Sequence, residues 1–194
     1  MYVWLDALIN YLSAIGFPDK KYKKFWPANL HIIGKDIIRF HAVYWPAFLL
    51  AADIKPPKRI FAHGWWTNEG KKISKSLGNV IDPNEIVKEY GLDTLRFFLL
   101  KEVPFGNDGD FSKKSLERRI NNDLANDLGN LVQRVLTIIN KNLGGKLSKI
   151  KQINQIDKNI YDYPNELLKN IEKNYETQEF HKVLDNIWKL ISKA

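Results

Sequence analysis

The chain has 194 residues, 44% of them hydrophobic and 12% aromatic, which suffices for a packed core and excludes a disordered polyelectrolyte. Its formal charge of +8 favours polyanionic partners, either nucleic acid or nucleotide. The absence of cysteine excludes disulfides and thiolate metal sites, the four histidines lack metal-site spacing, and the longest apolar run, Ala42 to Ala52, contains Pro46 and is shorter than the roughly 20 residues of a membrane span.

No basic segment precedes the N-terminal apolar residues and Asp6 interrupts them, which argues against a signal peptide and for a soluble, cytoplasmic protein. Tyr2-Val-Trp-Leu5 reads as a buried strand, after which Asp6 caps a helix through Ala7, Leu8, Tyr11 and Leu12 that stops at Gly16-Phe-Pro18. Leu30-His-Ile-Ile33 reads as a second strand ended by Gly34. The helix from Asp36 that follows carries Ile37, Phe40, His41, Tyr44, Trp45 and Phe48, and Pro46 should kink it. Arg59 to His63 forms the next strand. Strand, helix and strand recurring with short turns predict a doubly wound parallel α/β sheet, whose ligands sit at the carboxyl ends of strands. Trp4-Leu5-Asp6, Gly34-Lys35-Asp36 and His63-Gly64 fall at such ends and are expected to gather around one crevice. A core strand at the very start calls for sheet neighbours that the sequence does not supply, and it stops at Ala194 inside a helical pattern, so a fragment is expected.

Gly70 to Asn79, G-K-K-I-S-K-S-L-G-N, places three lysines and two serines between two glycines. Such a loop can clamp a triphosphate, with the lysines supplying charge, the serines donors and Ile73 an apolar anchor; it can equally be a solvated basic turn. It is not a P-loop, since no G-x-x-x-x-G-K-[ST] occurs. Asp82-Pro-Asn-Glu85 starts a helix that Gly91 closes, and a second helix covers about residues 93–103. Pro104 to Asp110 is a turn-rich break. A long helix over about residues 115–143 has Leu116, Ile120, Leu124, Leu128, Leu131, Val135 and Ile138 on one face and ends at Gly144-Gly145. Asn122, Asn126, Asn130 and Arg134 recur on its other face, either as an ordinary solvated stripe or as groups that read bases. Two more amphipathic helices, near residues 164–175 and 179–192, follow a polar loop.

K-I-S-K-S at Lys72 to Ser76 resembles the K-M-S-K-S signature of class I aminoacyl-tRNA synthetases, with Ile in place of Met. Y-V-W-L-D-A-L-I-N-Y from Tyr2, H-I-I-G-K-D-I-I-R-F-H-A-V-Y-W-P from His31, H-G-W-W-T-N-E-G-K-K-I-S-K-S-L-G-N-V from His63 and D-L-G-N-L-V-Q-R from Asp127 together resemble methionyl-tRNA synthetases of the bacterial and organellar type. The resemblance implies the second half of a Rossmann-type catalytic domain over residues 1–67, a connecting region bearing the KMSKS loop over 68–111, and an incomplete all-α anticodon-binding helix bundle over 112–194. It places Trp4, Ala7, Leu8, Tyr11, Ile37 and His41 around the methionine side chain, although each taken alone reads as core packing, and Leu8 is a proline in some relatives. Gly34, Lys35, Asp36, His63, Gly64, Lys72, Ser74 and Lys75 fall at ATP-binding positions, with Lys72 and Lys75 as the catalytic clamp. Asp36 is either a ribose acceptor or only a helix N-cap. Asn130 and Arg134 match positions that contact the tRNA anticodon; Trp188 does not match the family's anticodon tryptophan.

The implied substrates are methionine, ATP with Mg²⁺ and methionine tRNA, with no metal held by the chain itself. The sequence contains no H-I-G-H-type motif, so the 194 residues alone are expected to be inactive. Two alternatives remain open at this point: a tRNA-binding module without catalysis, and another class I synthetase or nucleotidyl transferase.

Overall fold

The computed structural model describes residues 3–147, 149 and 155–194, apart from the side chains of 75, 155–157 and 159. It is an α/β structure, mostly helical, with two small sheets. It divides into two compact units, one made of residues 1–65 with 106–108 and the other of 66–105 with 109–194.

The first unit opens on a helix, α1 (Val3–Ser13), and not on the expected strand; Met1 and Tyr2 lie outside the described residues. An apolar run of four residues fits either element, and tertiary burial decides it here: Leu8 and Leu12, one turn apart, both enter the core. Asp6 therefore sits in the first turn, where its charge suits the helix dipole, and is not the N-cap.

Strand β1 (His31–Gly34) buries His31 and Ile33 and exposes Ile32, the alternation of a half-covered strand. The chain then turns through a 3₁₀ segment (Lys35–Ile37) into a π-turn (Phe40–Tyr44) and helix α2 (Trp45–Ala51). Trp45 N–H bonds to the Phe40 carbonyl, five residues back. Pro46 has no N–H to continue the α-ladder, and its disturbance takes the form of this register change immediately before it. Strand β2 (Ile60–His63) pairs parallel with β1 in register from His31↔Ile60 to Gly34↔His63. The core beneath comprises Leu8, Leu12, Trp26, Trp45 and Leu49. Trp45 is only 1% exposed, and burying a side chain of this size stabilises by about 2–3 kcal/mol. Trp26 spans the core and donates its indole N–H to the Lys55 carbonyl at 2.7 Å.

The second unit begins with β3 (Trp66–Asn68), which pairs antiparallel with the short β4 (Lys71–Lys72) and parallel with β5 (Gly109–Phe111). Glu69 and Gly70, at φ 50° and 74°, make the two-residue hairpin turn whose positive φ values glycine tolerates best. Strand β5 lies where the sequence reading had only a turn-rich break, because three residues opening on glycine carry no strand pattern. A side chain at Gly109 would come within 2.9 Å of Val103 and 3.0 Å of Trp66, so glycine permits this packing.

Helix α3 (Pro83–Tyr90) is capped by Asp82, which accepts from Asn84 N–H at 2.8 Å, and ends at Gly91 with φ 89°. Helix α4 (Leu92–Lys101) follows. Helix α5 (Lys113–Arg119), capped by Ser112 accepting from Ser115 N–H at 3.1 Å, continues through a π-helical stretch (Ile120–Gly129) into α6 (Asn130–Leu143) and stops at Gly144 in the left-handed conformation. The Ser112 cap moves the start two residues ahead of the expected one. Helix α7 (Gln155–Glu176) contains Pro164 and starts well before the expected residue 164. Helix α8 (Phe180–Lys193) closes the unit. Phe98 and Leu116 are fully buried with Ile86, Leu95 and Phe111 around them. Among the described residues no helix is long and apolar enough to cross a membrane.

Candidate functional site

The candidate residues fall into three groups. In the first unit, α1 and the helical run after β1 bring Trp4, Tyr11, Ile37 and His41 together. His41, only 2% exposed, places Nδ1 at 3.1 Å from the Ile37 carbonyl, which can only accept; Nδ1 therefore carries the proton. Nε2 is then an acceptor, and Tyr11 O–H donates to it at 3.0 Å. Trp4 lies flat on Phe40, with centroids 3.9 Å apart, and meets His41 edge-on at 6.4 Å. Burial pushes the Tyr11 hydroxyl above its ordinary pKa, which keeps it a donor. Leu8 is buried in the core with Trp45 and Leu49, while Ala7 is exposed.

The sequence reading missed His31. It is 6% exposed, lies 4.4 Å from the Tyr11 ring and 6.4 Å from His41, and its Nδ1 has no partner among the described residues. Burial, and secondarily the nearby His41, hold its pKa below the ordinary value. A histidine on a short strand carries no pattern that distinguishes it from a core residue.

The β1 and β2 carboxyl ends place Gly34 directly beside His63. A Cβ at Gly64 would come within 2.3 Å of the Asn107 backbone, so close approach requires glycine there, whereas one at Gly34 would come within 2.6 Å of Asp36 Oδ1, the end of a side chain that can yield. His63 Nδ1–H donates to the Gly64 carbonyl at 2.8 Å. Lys35 Nζ lies 2.6 Å from both carboxylate oxygens of Asp108 and 4.4 Å from the Trp65 ring centroid. Asp108 also accepts from Trp65 N–H at 2.9 Å, and Lys35 followed by this bond holds its carboxyl below the usual range. Trp65 Nε1–H reaches Asp36 Oδ1 at 3.4 Å. Asp108 and Trp65 are thus neighbours of the ATP candidates that the sequence did not reveal; Asp108 is 73 residues from Lys35 in the chain.

In the second unit, the basic loop leaves β4 and turns through a 3₁₀ segment (Lys75–Leu77) to Gly78, φ 64°. Lys72 is exposed and has no ion-pair partner among the described residues; the Lys75 side chain lies outside them. Ser74 and Ser76 hydroxyls are 2.7 Å apart. Asp110 accepts from the Thr67 hydroxyl and, at 2.8 Å, from Gly70 N–H; these two bonds hold its carboxyl below its ordinary pKa and secure the hairpin turn. Ile73 borders an apolar cavity with Trp66, Ile81, Ile86 and Phe111, consistent with its expected anchoring part.

On the long helix, Asn126, Asn130 and Arg134 line an open cavity of about 340 Å³ with Ile191 and Ser192 of α8 and with Ala194 just after it. Asn130 and Arg134 are exposed, so their amide and guanidinium groups can meet a ligand. Trp188 instead packs on Phe97 at 4.8 Å. Among the described residues no group of three or more His, Asp or Glu could hold a metal ion.

Residues 1–136 match the family model for tRNA synthetases class I (M). Over its whole length the chain is 54% identical to a methionine–tRNA ligase of Rickettsia bellii and 53% identical to that of Brucella suis, covering 39% and 38% of those proteins. A solved structure of Mycobacterium tuberculosis methionyl-tRNA synthetase in complex with methionyl-adenylate superimposes with a TM-score of 0.93 at 48% identity, covering all of this chain and 38% of the other. The chain therefore spans less than two fifths of the length of the curated relatives it matches.

Proposed function

The chain belongs to the tRNA synthetases of class I (M), and from that premise we propose that it forms part of a methionyl-tRNA synthetase acting in the cytoplasm. Residues 1–67 supply the second half of a Rossmann-type catalytic domain, 68–111 a connecting region with the KMSKS loop, and 112–194 helices of an anticodon-binding bundle. The reaction is attack of the methionine carboxylate on the α-phosphate of ATP, which forms methionyl-adenylate and expels pyrophosphate. The methionyl group then passes to the 3′ end of methionine tRNA, releasing AMP.

The observation that carries this reading is that one helical run leaving β1 bears Asp36 at its start and His41 little more than a turn later. A ribose whose hydroxyl donates to Asp36, admitted by Gly34, thereby lies beside the same run that carries His41, which Tyr11 of α1 meets. His63 and Gly64 border the adenosine. The Tyr11 proton is already donated to His41, so a thioether arriving there meets aromatic faces and edges, with Trp4 as a wall, and selectivity rests on shape and polarizability. Lys72 and Lys75, with Ser74, neutralise charge on the departing pyrophosphate. Mg²⁺ arrives with ATP, held by its phosphates. Asn130 and Arg134 read anticodon bases.

The test replaces the corresponding 38% of the mycobacterial relative with this chain and measures methionine-dependent exchange of pyrophosphate into ATP. Exchange supports the reading; a chimera that unfolds cooperatively but does not exchange overturns it.

A further inference from the structure

We propose that Asn79 is the positioning residue that latches the basic loop. The proposal deepens, and rests on, the reading of that loop as a pyrophosphate clamp. Asn79 Nδ2–H donates to the Lys72 carbonyl at 3.0 Å, while Oδ1 accepts from Ser74 N–H at 2.9 Å. One amide thus grips the backbone on both sides of Ile73. Its own carbonyl accepts from Asn68 Nδ2–H at 2.9 Å, and Asn68 belongs to β3, so the latch is fixed to the sheet.

Only a side chain with a donor and an acceptor at the same short reach makes both bonds; aspartate lacks the donor and alanine lacks both. The other ties on this stretch lie at its hairpin end, where Asp110 holds Gly70 N–H and β4 pairs with β3, and at Ile73. Gly70 and Gly78, at φ +74° and +64°, bound the loop in a left-handed conformation that glycine adopts without strain. Within the 3₁₀ turn, Leu77 N–H bonds the Ser74 carbonyl at 3.2 Å, so holding Ser74 also sets the start of the turn that contains Lys75. Asn79 touches no reacting atom. Its part is to keep Lys72 and the Lys75 backbone at a fixed offset, so that less ordering remains to be done when a polyphosphate binds.

The loop carries its own reporter, because trypsin cleaves after Lys72 and Lys75. Limited proteolysis of the 194-residue chain, with fragments identified by mass spectrometry, is compared for wild type, Asn79→Ala and Asn79→Asp alongside their thermal midpoints. Loss of the two side-chain bonds should speed cleavage at Lys72–Ile73 and Lys75–Ser76 about tenfold in Asn79→Ala, while cleavage elsewhere stays unchanged. Asn79→Asp, which retains only the Ser74 bond, should be intermediate, and it decides the matter if Asn79→Ala does not fold. Wild-type loop cleavage in the folded variant overturns the latch. Magnesium tripolyphosphate added to the mycobacterial chimera, which carries the rest of the site, tests the clamp separately: protection of the two bonds supports it, and absence of protection overturns the clamp but not the latch.

Discussion

Tyr11, on α1, donates its hydroxyl proton to Nε2 of His41 at 3.0 Å, across 30 residues of sequence. The bond is possible only because the Ile37 carbonyl fixes the proton of His41 on Nδ1. Tyr11→Phe would leave a buried imidazole nitrogen without its donor and free the ring to turn. In a chimera competent for exchange, Tyr11→Phe should raise KM for methionine about fivefold to tenfold with a smaller change in kcat. An unchanged KM would remove the pair from the methionine site.

Two glycines at the strand ends should respond differently to alanine. At Gly64 the added Cβ meets the Asn107 backbone at 2.3 Å, which cannot yield without moving the 106–108 segment. At Gly34 it meets the end of the Asp36 side chain at 2.6 Å, which can swing away. Urea unfolding of the chain should show Gly64→Ala destabilised by about 3 kcal/mol and Gly34→Ala by about 1 kcal/mol. Equal losses would contradict this account of the close approach.

His31 ties stability to pH. Its folded pKa lies below the ordinary value of 6.5, so between the two the unfolded chain binds a proton that the folded chain does not. Stability should therefore fall as pH drops below about 6.5 and stop falling once the folded pKa is passed. The contributions of Asp108 and Asp110, whose values are held low, are present above their ordinary 3.8 and disappear only in stronger acid. Thermal midpoints between pH 7.5 and 5 should slope for wild type and flatten for His31→Gln; parallel slopes would assign the effect elsewhere.

Asn130 and Arg134 line one open cavity on the long helix. Filter binding of methionine tRNA should weaken about tenfold for Arg134→Ala and somewhat less for Asn130→Ala, since a lost contact to a base is typically worth 1–3 kcal/mol. Unchanged affinity in both would leave this face as an ordinary solvated surface.

Much of this arrangement was legible in sequence because it rests on local chemistry. The Asp82 cap, the Gly91 and Gly144 stops and the two strands after Leu30 and Lys58 all follow from turn residues and apolar pattern. The Val3–Leu5 run was misread because a short apolar segment has no period of its own. Asp108 and Asn68 escaped notice because their partners lie far away in the chain, at Lys35 and Asn79, and no local pattern signals a hydrogen bond across such a separation. Their roles emerge only when strands bring their ends together.

The central claim, that this chain carries the methionine-activating half-site and its lysine clamp, is tested most directly by pyrophosphate exchange in the mycobacterial chimera. Exchange should depend on L-methionine over other amino acids, fall at least about a hundredfold with Lys72→Ala, in keeping with the loss of a transition-state charge clamp, and be negligible for the isolated 194 residues. A cooperatively folded chimera that exchanges with a different amino acid, or that keeps its full rate without Lys72, would contradict it.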